Sequence, residues 1–372
     1  MCAKVWPMRL LLFSDLHLET GFAWAPAEVS RARRDGLRTC LRRIVALAAE
    51  LQVDALVCGG DLYEHDRHRP DTGAFLRETF AALDPLPVFL APGNHDWFGP
   101  GSIYAQQRWS PHVHVFTEQA LTPVTLADGL TLWGAAHHSS RTTPNLVEGF
   151  RVDRGGVHVA LFHGSEQGHI DIGAPDKVRH APFRAEQLRA SGLHHALLGH
   201  FHTPREAPDH TYPGNPEPLT FGETGVRGPV LVTVGADGSV SRQWYPVAES
   251  PMHDVVVDLD GATHAEAVQD RVDAALHGLT GVARVTVRGE VAREVTVDPK
   301  RLRRPARLSA WDIRVGDLRY AFDFAALAQE QTVRGQFVRD VQSDPSLDED
   351  LRRQVLITGL RAFDGHDDLA VA

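Results

Sequence analysis

Two periodicities share the first half of this chain. The runs "MRLLLFSD" (Met8–Asp15) and "ALVCGGD" (Ala55–Asp61) are short, apolar and stopped by a carboxylate. Such runs read as strands buried on both faces. Between them Leu37, Leu41, Ile44, Val45 and Ala48 recur at helical spacing, which predicts a helix over Arg34–Leu51. A second helix is expected over Asp71–Leu83 and a third strand in "LPVFLAPGNHD". Strands alternating with helices imply parallel pairing with helices packed on the sheet. The pattern then changes. "LTPVTLADGLTLWGAAHH" reads as a hairpin turning at Asp128-Gly129, and "GPVLVTVGADGSVSRQWYPV" as one turning at Asp237-Gly238. "GGVHVALFHG" and "HHALLGHFH" are apolar strands running into polar tips. The expectation is a two-sheet α/β sandwich flanked by helices, over residues 1–249.

Beyond Ser250 the pattern gives a strand in "MHDVVVDLDG", a helix over His264–Leu276 and a strand in "VARVTVRGEV". That predicts a small α+β domain over 250–300. The basic stretch "PKRLRRPARL" follows, then helices over Phe324–Asp340 and Asp348–Phe363. Residues 301–372 therefore read as a basic linker and a C-terminal helical tail. Neither internal repeats nor low-complexity tracts are evident.

Composition narrows the class. The chain has 372 residues, 43% hydrophobic and 23% charged, which is globular and long enough for two domains. No apolar run is long enough to span a bilayer. The N-terminal "MCAKVWPMRLLLF" lacks a small-residue cleavage site, so it reads as the first strand and not as a signal peptide. Cys2, Cys40 and Cys58 show no paired spacing, which suggests neither a disulfide framework nor a thiolate zinc site and makes a reducing cytoplasm the expected location. The net charge of −10 argues against a generally basic nucleic-acid binder. It leaves room for a local basic patch or bound cations to carry phosphate binding. The 21 histidines are unusually many, and histidine is the commonest metal ligand.

Their placement gives the chemistry. Asp15 and His17 follow the first strand, and extended alternation would set both on one side. Asp61 ends the second; Asn94, His95 and Asp96 end the third. His163 ends "VALFH", and His200 and His202 end "ALLGHFH". Parallel strands line up their carboxyl ends along one edge, so residues far apart in the chain converge there. Each motif alone is weak: "GNHD" can be a simple turn, and "HFH" a surface accident. Five in order, each closing a strand, point to a metal centre. Mixed nitrogen and oxygen donors without thiolate suit manganese, zinc or iron. The donors are too many for one ion and fit two, with Asp61 as the shared carboxylate.

At this level the chain resembles the calcineurin-like metallophosphoesterases: "SDLHL", "GGDLYEHD", "PGNHD", "LFHG" and "LLGHFH" match that superfamily's five motifs in order. Within it, "YPGNPEPLTFGE" (Tyr212–Glu223) and the closing "TVRGQFVRDV…LRRQVLITGLRAFDG" resemble SbcD-type DNA repair exonucleases. The resemblance implies one ion on Asp15, His17, Asp61 and His202 and another on Asp61, Asn94, His163 and His200. Manganese is the first choice, with zinc, iron or magnesium as alternatives. It makes His95 a catalytic, non-ligating histidine oriented by Asp96. Nucleases of this type often carry a second histidine soon after the "GDL" motif; here Glu64 stands at that place, followed by His65. The protein-phosphatase form "GDxVDRG" is absent.

The expected activity is metal-dependent hydrolysis of DNA phosphodiester bonds, exo- or endonucleolytic, in DNA repair near the nucleoid. An SbcC-like (Rad-fifty-type) ATPase is the expected partner, a homodimer is compatible, and no membrane is involved. The domain over 250–300 would cap the DNA groove. Glu64, His65, Arg301, Arg303, Arg304 and Arg307 are the candidate nucleic-acid contacts. The competing expectation is a phosphodiesterase acting on nucleotides or other small molecules.

Overall fold

A computed structural model describes residues 6–169 and 179–365 of the chain. Contacts divide it into two compact units, Met1–Pro251 and Met252–Ala372. In chain order the first unit carries β1 (Met8–Phe13), α1 (Ala27–Glu50), β2 (Ala55–Cys58), α2 (Thr72–Ala81), β3 (Val88–Leu90), α3 (Ile103–Gln106), β4 (Val113–Val115), β5 (Thr122–Ala127), β6 (Leu130–Gly134), β7 (Val157–His163), α4 (Ala185–Ser191), β8 (His195–Gly199), β9 (Arg205–Ala207), β10 (His210–Tyr212), β11 (Val230–Val234) and β12 (Val240–Trp244). The second carries β13 (Met252–Asp258), α5 (Ala265–Ala275), β14 (Gly281–Ala292), β15 (Leu308–Ala321), α6 (Phe324–Ala328), α7 (Val333–Ser343) and α8 (Glu349–Phe363).

The first unit is a two-sheet α/β sandwich. One sheet runs β12-β11-β1-β2-β3-β4 and the other β5-β6-β7-β8-β10-β9. β1 to β4 are mutually parallel, as are β6, β7, β8 and β10. Strand alternation explains the layers. Leu10 and Leu12 face the inter-sheet core with Val57, Val159, Leu161 and Leu197. Leu11 and Phe13 point the other way, onto Leu37, Leu41 and Ile44 of α1. On the far side of the second sheet, Ala160, Phe162 and Leu198 pack with Leu188 of α4.

Three local expectations are corrected. α1 begins at Ala27, seven residues before Arg34, and Arg33 lies on its buried face. Its guanidinium donates to the carbonyls of Ser250 (2.6 Å) and Pro218 and lies 3.5 Å from Glu217. A charged residue on the apolar face thus hides the helix from a periodicity reading. The stretch before the tail contains β15, which pairs parallel with β14. A register shift between Val287 and Gly289 changes parity there. Trp311 and Ile313 before it, and Leu318 and Tyr320 after it, therefore pack on the same core without a continuous alternation. The expected helix over Phe324–Asp340 is two helices. Thr332 caps α7 by accepting from Gly335 N, and Arg339 donates to the carbonyls of Ala328 (2.6 Å) and Glu330 (3.0 Å) across the break.

In the second unit β13, β14 and β15 form a parallel sheet. Val268 and Val272 of α5 pack with Val257, Val285 and Val287. Leu327, Val338, Leu356 and Leu360 form a smaller core among α6, α7 and α8.

Candidate metal centre

The carboxyl ends of β1, β2, β3, β7 and β8 deliver the site. Asp15 and His17 do not reach it by strand alternation. β1 stops at Phe13, and both residues have positive φ (54° and 48°). Their backbones are bonded to the loop after β2: Asp15 N to Gly60 O and His17 N to Asp61 O, each 2.9 Å. Asp61 itself sits at φ 52° and His200 at 117°. Left-handed backbone at non-glycine residues is strained and persists where the surroundings impose it. Here they do. The loops after β2 and β8 press together so closely that a Cβ on Gly59 would lie 2.8 Å from Gly199 N.

The donor atoms face one another. Asp61 Oδ2 lies 3.3 Å from His163 Nε2 and 3.7 Å from His17 Nε2. His17 Nε2 is 3.2 Å from His202 Nε2, and His163 Nε2 is 3.3 Å from His200 Nδ1. The Asp15 carboxylate accepts the backbone N–H of His200 at 3.0 and 3.1 Å. Ligand atoms of Asp15, His17 and His202 lie within 4.8 Å of one another, as do those of Asp15, Asp61 and His163, and those of His17, Asp61 and His95.

The chemistry of this set fits divalent cations. Donors bound about 2.0–2.2 Å from one ion lie roughly 3.0–3.5 Å apart, close to the separations seen here. The inward nitrogens are preset because the outward ones are engaged. His17 Nδ1 faces Glu64 Oε1 at 2.8 Å, His202 Nδ1 faces Glu223 Oε1 at 2.7 Å, and His163 Nδ1 faces Gly59 O at 3.0 Å. An acceptor on one ring nitrogen turns the other toward a metal. Asn94 is buried, and its Oδ1 has no hydrogen-bond partner among the described residues. Neither Cys40 nor Cys58 joins the cluster.

Charge is distributed accordingly. Burial opposes ionisation of Asp61, yet His163, His17 and His95 hold its carboxyl well below the usual range. Burial likewise acts against Glu64, but hydrogen bonds from His17 and His95 bring it to about 2. Burial lowers His163 and the Asp61 carboxylate more than compensates, raising it to about 9. Burial and then His163 depress His200 to about 2.

Two expected roles change. Asp96 does not meet the His95 ring. Its Oδ1 accepts from Gly93 N (2.6 Å) and Asp61 N (3.1 Å), and its Oδ2 from Leu62 N (2.7 Å) and Tyr104 OH (2.5 Å). It ties the loops after β2 and β3 together. Glu64 orients His95 instead, with Oε2 3.0 Å from His95 Nδ1. Glu64 therefore has both carboxylate oxygens engaged by imidazoles of the site. His65 lies tilted against Trp97, ring centroids 4.5 Å apart, and its backbone N–H donates to His95 O at 2.9 Å. Arg301, Arg303, Arg304 and Arg307 lie in the second unit between β14 and β15, exposed. Glu223 was not singled out by sequence, although it closes the "YPGNPEPLTFGE" stretch. Besides His202 it holds Asn215 Nδ2 and Leu219 N, each at 2.6 Å.

Residues 8–204, more than half of the 372-residue chain, match the calcineurin-like phosphoesterase family. The chain is 24% identical over 277 residues to the uncharacterized metallophosphoesterase YhaO of Bacillus subtilis, covering 70% of this chain and 65% of that protein. It is 28% identical over 300 residues to the DNA double-strand break repair protein Mre11 of Methanopyrus kandleri, covering 71% and 62%. The chain thus spans less than two thirds of either relative. Among solved structures, TT1561 of Thermus thermophilus aligns with TM-score 0.37 and 13% identity over 64% of this chain and 99% of that one. No helix among the described residues is long and apolar enough to cross a membrane. From the family match and the clustered donors together, the chain belongs to the calcineurin-like phosphoesterases and carries a candidate dimetal site.

Proposed function

We propose that this protein is a metal-dependent nuclease that hydrolyses DNA phosphodiester bonds. One observation carries the two-ion reading: Asp61 presents one carboxylate oxygen to His163 at 3.3 Å and to His17 at 3.7 Å, so a single side chain faces both donor groups. We assign one ion to Asp15, His17, Asp61 and His202, and the other to Asp61, Asn94, His163 and His200. Manganese suits this nitrogen and oxygen set. When bound, the cations neutralise phosphate charge and acidify water.

His95 acts on the leaving group. Its Nδ1 is engaged by Glu64 and its side chain is 45% exposed, so Nε2 is left for substrate. As water adds to phosphorus and the bond to the leaving oxygen breaks, His95 gives that oxygen a proton. Glu64 keeps the ring in place and favours its protonated form. Asp96 holds the two loops that position Asp61 and His95.

DNA as substrate is supported by the 28% identity to an Mre11 protein and by the exposed arginines Arg301, Arg303, Arg304 and Arg307. The second unit is assigned to DNA capping and to docking of an SbcC-like ATPase, with the nucleoid as the place of action. The test is cleavage of single- and double-stranded DNA alongside bis(p-nitrophenyl) phosphate, after chelation and then with added Mn²⁺. Restored cleavage of DNA with steep salt dependence is expected. Cleavage of the small ester alone would overturn the nuclease reading. Full activity after exhaustive chelation would overturn the metal reading.

A further inference from the structure

The site borders two histidines that no motif contains, and they differ in one respect. His137 has both ring nitrogens engaged: Nε2 with His163 O and Nδ1 with Thr143 Oγ1, each at 2.7 Å. It is a structural histidine under the His163 backbone. His180 is 6% exposed, and its Nδ1 has no hydrogen-bond partner among the described residues. Its ring stands 5.8 Å from that of His200 and 5.9 Å from that of His137, centroid to centroid. An unpaired polar atom at this depth is unfavourable, and a partner arriving with ligand would relieve it.

The backbone holds this imidazole in place. His180 O accepts from Ser165 N at 2.9 Å, and the N–H of Ala181 donates to Thr143 O at 2.9 Å. Ala181 is held at φ 41°, a strained value for a residue with a Cβ. Pairing continues through Phe183 N to Ser165 O at 3.0 Å, so the segment is anchored to the chain leaving His163. The other buried histidine nitrogens without hydrogen bonds have different surroundings. His112 Nδ1 faces Asp84 at 3.2 Å, His65 lies tilted against Trp97, and His195 opens β8 with its Nε2 2.9 Å from Thr211 Oγ1. His180 does not belong to the mutually close donor groups. Its ring lies next to that of His200, one of the donors assigned to the second ion.

We propose that His180 is a substrate-positioning residue whose ring N–H binds a non-bridging oxygen of the phosphoester at the second ion. The inference rests on the assignment of that ion to Asp61, Asn94, His163 and His200. Three proteins decide it: wild type, His180→Phe, which keeps a ring without a donor, and His180→Asn, which returns an amide near the Nδ1 position. Each is loaded with Mn²⁺ and measured for metal content, for inorganic phosphate affinity by calorimetry, and for kcat and KM on bis(p-nitrophenyl) phosphate. In His180→Phe, two ions should remain while phosphate affinity and kcat/KM fall about 10–100-fold, the worth of one hydrogen bond to a charged group. His180→Asn should recover most of both. Unchanged phosphate affinity and kcat/KM in a folded, fully loaded His180→Phe would overturn the proposal. So would loss of an ion, which would make His180 a support of the coordination shell. If His180→Phe does not fold, wild-type phosphate affinity in His180→Ala with two ions retained would overturn it equally. Wild-type protein that holds fewer than two ions would refute the ion assignment itself, a different result from any of these.

Discussion

The carboxylate of Glu64 lies 3.0 Å from the Nδ1 of His95, at the place where a histidine was expected from related nucleases. The same side chain reaches His17 Nδ1 with its other oxygen at 2.8 Å. One residue therefore orients a proton donor and sets the tautomer of a candidate ligand. Replacing Glu64 by Gln keeps the shape and removes the charge. The expected result is a loss of about 10–100-fold in kcat with both ions retained. Steady-state kinetics and elemental analysis on one preparation check it; unchanged kcat would show that His95 needs no charged partner.

His95→Ala should separate chemistry from metal binding. Metal content and substrate affinity should stay near wild type, while the rate on DNA falls about 10²–10⁴-fold. The loss should be smaller on a nitrophenyl ester, whose leaving group needs no proton. The pair of rate ratios is the measurement. Loss of an ion would instead make His95 a ligand, which its nearness to His17 and Asp61 within 4.8 Å makes a real alternative outcome.

Asp61→Ala should deplete both ions, whereas His17→Ala or His202→Ala should deplete one. Elemental analysis of purified variants reads this directly. Two ions in Asp61→Ala would show that the carboxylate is not shared.

Glu223→Ala removes the acceptor for His202 Nδ1 and releases Asn215 and Leu219 together. Metal affinity should weaken about 10–100-fold, and stability should fall by about 2 kcal/mol. Metal titration and a denaturant series test the two effects separately. Wild-type affinity for both ions would remove Glu223 from the support of the site.

Replacing Arg301, Arg303, Arg304 and Arg307 together by Ala should leave hydrolysis of the small ester unchanged and weaken DNA binding. The plot of log affinity against log salt should become shallower by about 0.9 for each phosphate that the variant no longer neutralises. An unchanged slope would assign these arginines to a solvated linker.

The strands and their terminal residues were legible because burial and alternation are local. Leu10 to Phe13 can only be a core strand, and a strand that ends in Asp15 or His163 shows its chemistry at its tip. The five motifs alone thus named Asp15, His17, Asp61, Asn94, His163, His200 and His202, and the fold brings Asp15, His17, Asp61, His163, His200 and His202 within reach of one another. Partnership between distant side chains was not legible. Asp96 and Glu64 are both carboxylates close to His95 in space. Only the loop geometry sends Asp96 to backbone N–H groups and Glu64 to the imidazole. Glu223 and His180 lie outside the motifs, and their relevance comes from proximity to His202 and His200 that no spacing encodes. The route of Asp15 and His17 into the site was likewise tertiary. A left-handed backbone at these residues is unfavourable in isolation, and the hydrogen bonds to Gly60 and Asp61 of the neighbouring loop impose it. Sequence determined which donors stand at the strand ends. Packing of the two sheets decided which of them face each other, because the facing donors come from separate chain segments, 37 residues apart for His163 and His200 and 185 apart for His17 and His202.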